Sequence, residues 1–144
     1  MKRFAVVGLF LSGVMLAACR SEAPAQTSGE GVGQTLAVEG SAYTEVSVSE
    51  LQGMLENKDF TLVNVHIPFE GDIAGTDLSI PYDQIDQNLD QLPADQDAQI
   101  VLYCRSGRMS AIAAQTLVSL GYTNVWNLSG GMVAWEQAGL SIER

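Results

Sequence analysis

Hydrophobic residues fall along this chain in three regimes. Residues 4–16 form one apolar run, residues 21–42 show no apolar periodicity, and from Tyr43 onward short apolar runs alternate with stretches whose apolar positions recur every three or four residues. That last alternation predicts an α/β domain with a largely parallel sheet, because strands joined by amphipathic helices pair in parallel. Ser47-Val48-Ser49-Glu50 fits a capping box opening a helix with Val48, Leu51 and Leu55 on its apolar face, ending near Lys58. Residues 61–66 read as a strand, which Pro68 and Gly71 interrupt. A short strand is predicted at residues 79–81. Residues 82–92 carry Ile85, Leu89 and Leu92 at helical spacing among Asp and Gln, predicting a peripheral helix. Residues 99–103 are continuously apolar, as expected of a central strand buried on both faces. Met109, Ile112, Ala113, Leu117 and Leu120 then predict a helix stopped by Gly121, and residues 124–128 the next strand.

A chain of 144 residues has room for one such domain plus a targeting segment. Its formal net charge of -10, with no run of Lys or Arg in the folded part, excludes nucleic-acid binding through phosphate contacts. Beyond Lys2 and Arg3 the basic residues are Arg20, Lys58, Arg105, Arg108 and Arg144, and two of these flank Cys104. In an acidic protein, paired positive charges beside a thiol focus the field on small anions.

The N-terminus reads as an address. Lys2 and Arg3, the apolar run and the small residues after it form the three sections of a secretory signal, and a run of about a dozen residues is short of the ~20 that span a bilayer. Leu16-Ala17-Ala18-Cys19 resembles the lipobox of bacterial lipoproteins. The resemblance implies cleavage before Cys19 and a diacylglyceryl thioether on its sulfur. The expected organisation is a signal peptide over 1–18, lipidated Cys19 and a flexible tether over 19–42, and a folded domain over 43–144. The protein is therefore expected to be exported and lipid-anchored on the extracytoplasmic side of a bacterial cell membrane, or on the outer membrane. The Ser/Gly/Ala-rich tether would reach about 25 Å.

Open parallel sheets bind ligands beyond the C-terminal ends of their strands, and Cys104-Arg105-Ser106-Gly107-Arg108-Met109-Ser110 lies there, between strand and helix. A loop curling into a helix N-terminus aims backbone amides at one point, and Gly107 can adopt the dihedral angles that such a cradle needs. The amides, the helix dipole, Arg105 and Arg108 are expected to favour the Cys104 thiolate without a separate base. The single histidine, His66, lies on another strand and is expected to serve as a hydrogen-bonding group. One His and two Cys supply no recognisable metal cluster, so neither metal nor cofactor is expected.

Residues 103–110 resemble the active-site loop of single-domain rhodaneses, and Leu128-Ser129-Gly130-Gly131 with Ala134-Trp135 and Ala138-Gly139 resembles their closing signature. The resemblance covers Tyr43 to the C-terminus. It implies a three-layer fold, a mostly parallel central sheet with helices on both faces, and a sulfurtransferase. Cys104 would take the outer sulfur of thiosulfate or a similar small anionic donor as a persulfide. Arg105, Ser106, Gly107, Arg108 and Met109 would bind the donor and cradle the persulfide, whereas the glycine pair and Trp135 would be structural. If Cys19 is lipidated, no second cysteine can resolve a persulfide, so the acceptor is an external thiol or cyanide. Two segments depart from the family pattern: Asn64-Val65-His66 stands where Asp-Val-Arg is usual, and Gly71-Asp72-Ile73-Ala74-Gly75-Thr76 where Gly-His-Ile-Pro-Gly-Ala is usual. These changes remove a charged pair near the site rim and bear on donor preference. Two alternatives stand beside this reading: a non-catalytic sulfur carrier or docking module, and a cysteine phosphatase or arsenate reductase. The latter need Arg at the position that Ser110 occupies.

Overall fold

The computed structural model describes residues 32–38 and 41–144; the expected signal peptide, Cys19 and the first part of the tether lie outside them. Six strands form the main sheet in the order β1-β2-β7-β6-β3-β5. They are β1 Gln34–Val38, β2 Ser41–Val46, β3 Thr61–Asn64, β5 Leu78–Ser79, β6 Ile100–Tyr103 and β7 Val125–Leu128. Every neighbouring pair is parallel except β1 with β2. β4 Asp72–Ile73 and β8 Ile142–Glu143 form a separate antiparallel pair.

Three helices, α1 Val48–Glu56, α2 Arg108–Ser119 and α3 Gly131–Gln137, complete the layers. Side chains alternate across a strand. Val63, Ile100 and Leu102 accordingly join Ala113 and Leu117 of α2 in one core, while Leu62, Val101 and Tyr103 join Leu51 of α1 and Met132 and Trp135 of α3 in the other. All four residues of β6 are buried, which is why its sequence runs apolar without interruption. The α/β three-layer arrangement matches the expected fold class. The capping box at α1 is present: Glu50 N donates to Ser47 Oγ at 3.4 Å and Ser47 N to Glu50 Oε2 at 2.7 Å.

Two expectations are corrected. Part of the expected tether is strand, since β1 pairs along its length with β2. An edge strand that takes its order from one neighbour needs no strong apolar alternation of its own, so polar surroundings hide it. The helix expected over residues 82–92 is two 3-10 helices, Tyr82–Gln87 and Leu89–Gln91. Asn88 sits between them, its side-chain Nδ2 donating to Gln84 O at 2.7 Å, and such short polar side chains compete with the helical backbone ladder.

Candidate active site

Cys104 directly follows the central strand β6. Tyr103 O accepts from Val65 N at 2.9 Å, so β3 and β6 run side by side to the foot of the site. The next residues turn sharply into α2 through Gly107, whose φ of +90° lies in the left-handed region that favours glycine. That turn directs Gly107 N–H at Cys104 Sγ, 3.1 Å away, and the Ser110 hydroxyl lies 3.4 Å from the same sulfur. Ser110 Oγ also sits 3.1 Å from Gly107 O. Cys104 is 1% exposed and Ser110 fully buried, so the thiol is a core side chain with two polar donors turned on it. An inert buried cysteine would have apolar neighbours only.

The loop is held from beneath by α3. Met132 N donates to Cys104 O and Val133 N to Arg105 O, each at 2.9 Å. For these amides to come so close, Gly131 must have no side chain: a Cβ there would stand 2.2 Å from Cys104 O, and its φ is +56°. Gly131 of the closing signature is therefore structural, as expected, and what it supports is the cysteine loop itself.

The residues singled out beside Cys104 take different positions. Ser106 and Arg108 are exposed, and Met109 is half-buried against the α2 core. Arg105 is not a free cation: its Nη1 pairs with Glu70 Oε2 from the loop after β3. The Arg105 guanidinium holds the Glu70 carboxyl below the usual carboxylate range. His66, whose side chain is 7% exposed, departs from its expected hydrogen-bonding role. Among the described residues neither ring nitrogen has a hydrogen-bond partner, and Nε2 stands 3.5 Å from Glu70 Oε2.

Beneath this rim, Asn64 Nδ2 donates to Asp72 Oδ1 and to Gly71 O, both at 2.9 Å, and Asn64 Oδ1 accepts from His66 N. In place of the charged pair expected to be lost stands a hydrogen bond from an amide donor to a carboxylate acceptor. Tyr103 OH, close to Asp72 Oδ1 and Thr76 Oγ1, accepts from Ile73 N and ties β4 to β6. Burial pushes its ionisation upward, so it remains a neutral hydroxyl. Sequence reasoning did not single out Ser110 or Glu70 as site residues. Ser110 interrupts the apolar face of α2, a signal that was available; Glu70 and Arg105 are 35 residues apart and gave none.

A family profile described as the rhodanese-like domain matches residues 47–138. A sulfurtransferase of Allochromatium vinosum is 37% identical over 99 residues, covering 67% of this chain and 90% of the relative. The thiosulfate sulfurtransferase GlpE of Vibrio cholerae is 31% identical over 103 residues, covering 70% and 95%. Among solved structures, a rhodanese-like domain protein of Staphylococcus aureus superposes with a TM-score of 0.58 at 31% identity, covering 69% of this chain and 98% of that one.

Proposed function

The chain belongs to the rhodanese-like family, and from that premise we propose that it moves a sulfane sulfur from thiosulfate or a similar donor to an external thiol or cyanide through a persulfide on Cys104. The Cys104 thiolate attacks the outer sulfur of thiosulfate, a new S–S bond forms, and sulfite leaves with the electron pair of the old one. An acceptor thiolate or cyanide then attacks the outer sulfur of the persulfide, and Cys104 leaves as thiolate. The observation that carries this reading is the convergence of Gly107 N–H and the Ser110 hydroxyl on Cys104 Sγ at the mouth of a helix. Donors fixed there stabilise negative charge on sulfur without reorganising. Phosphate-ester chemistry has less support, because the position that would hold an oxyanion-gripping Arg is Ser110, buried and turned toward the thiol. For location, the reading places the domain at a membrane surface through a lipid on Cys19, resting on the sequence of residues 1–19 alone.

Mass spectrometry of the reduced full chain before and after thiosulfate, followed by cyanide, tests the proposal. The expected result is one added sulfur on Cys104, repeated thiocyanate release, and loss of both in Cys104→Ser. Full thiosulfate activity in Cys104→Ser, or no added sulfur in the wild type, overturns it.

A further inference from the structure

Two features of the site rim are unsuited to a small dianion. The first is charge. Arg105 and Arg108 are the only basic side chains of the cysteine loop, and Arg105 is occupied by Glu70. The Glu70 carboxylate is about a third exposed and also faces His66 Nε2, so it stands at the edge of the loop. A thiosulfate dianion approaching Cys104 must either draw Arg105 from that carboxylate or rely on Arg108 alone, and it meets the carboxylate's repulsion in both cases. The second feature is apolar surface. Phe69, next to Glu70 on the same loop, is 61% exposed, while most other large apolar side chains of the domain are buried. Thiosulfate has nothing apolar to lay against a ring.

We infer that this rim selects an organic persulfide, R–S–SH, over thiosulfate as the sulfur donor, with Glu70 screening out dianions and Phe69 receiving the organic stem. The inference rests on sulfur loading of Cys104 as proposed above. Its reacting end carries at most one negative charge, so the Glu70–Arg105 pair need not open for it. The step balances: the Cys104 thiolate attacks the outer sulfur, the Cys104 S–S bond forms, the donor S–S bond breaks, and R–S⁻ leaves with the electron pair while the proton stays on the transferred sulfur. No outside oxidant or reductant enters.

Single-turnover loading of Cys104 in the full chain, followed by intact mass with thiosulfate, cysteine persulfide and benzyl persulfide as donors, tests the inference. In the wild type both persulfides load faster than thiosulfate. Glu70→Gln shifts the persulfide-to-thiosulfate ratio about tenfold toward thiosulfate, by a gain in the thiosulfate rate. Phe69→Ser shifts it several-fold the same way, by a loss in the benzyl persulfide rate. Both positions are on the surface, and a thermal melt of each variant confirms the fold. Equal effects of Glu70→Gln on all donors, no effect on any, or faster wild-type loading from thiosulfate would overturn the inference and leave sulfur transfer standing. If no donor adds sulfur to Cys104 in any variant, sulfur transfer itself fails and the inference with it.

Discussion

Two loops meet over the C-terminal edge of the sheet, and they are built in opposite ways. The cysteine loop is held through three of its carbonyls: Cys104 O and Arg105 O accept from α3, and Gly107 O accepts from Ala111 N. Its reactive atom is buried. The loop after β3 is held at its base through Asn64 and near its tip by the Glu70–Arg105 pair, and it presents Phe69 outward. The first loop keeps the family pattern and the second departs from it. On the reading proposed above, the fold keeps a sulfur-loading device constant while a neighbouring loop sets which donor reaches it.

The strongest test of the fixed half is Gly131→Ala. The new Cβ would meet backbone, not a flexible side chain, and the residue would sit in a left-handed conformation. A left-handed non-glycine residue and an overpacked contact together cost about 3 kcal/mol or more. Chemical denaturation should show that loss, together with a collapse of Cys104 loading even where the variant remains folded. A variant of unchanged stability and loading would mean that α3 does not hold the cysteine loop.

The base of the variable half is tested by Asn64→Asp, which restores the residue more usual in the family. Without a matching change at 72 it places a carboxylate against the Asp72 carboxylate and removes the amide donor, for an expected loss of about 2 kcal/mol at neutral pH. Two facing carboxylates share a proton as the pH falls, so the loss should shrink below about pH 5. Adding Asp72→His should recover most of it at pH 7. A penalty independent of pH would place the fault in packing instead of charge.

Much of the fixed half was legible in the sequence. A central parallel strand reads as an unbroken apolar run, and the helix after it as a periodic one, so Cys104 could be placed between them before any coordinates. Gly131 could be noted but not explained, because its need for a bare Cα arises from a carbonyl 27 positions earlier in the chain. The variable half was largely illegible. β4 and β8 are two residues each, too short for any pattern, and they pair Asp72 with Glu143 across most of the domain. The Glu70–Arg105 pair joins two ordinary surface side chains that only the parallel pairing of β3 with β6 brings together.

The smallest expected effect separates the two loops most cleanly. Ser110→Ala removes a hydroxyl that sits between Cys104 Sγ and Gly107 O. Gly107 O keeps the Ala111 N–H bond at 3.0 Å, so no buried carbonyl is orphaned and the stability cost should be about 1 kcal/mol or less. The sulfur keeps only the Gly107 amide among the donors seen here, and alkylation of Cys104 by iodoacetamide at neutral pH should slow about three- to tenfold. Ser110→Thr, which retains the hydroxyl, should recover most of that rate. Because the hydroxyl acts on the sulfur and not on the donor, Ser110→Ala should slow loading from thiosulfate and from persulfides by the same factor. Glu70→Gln should separate the donors instead. A donor-dependent loss in Ser110→Ala would show that the buried thiol and the exposed rim read the donor together, and that chemistry and choice are not divided between the loops.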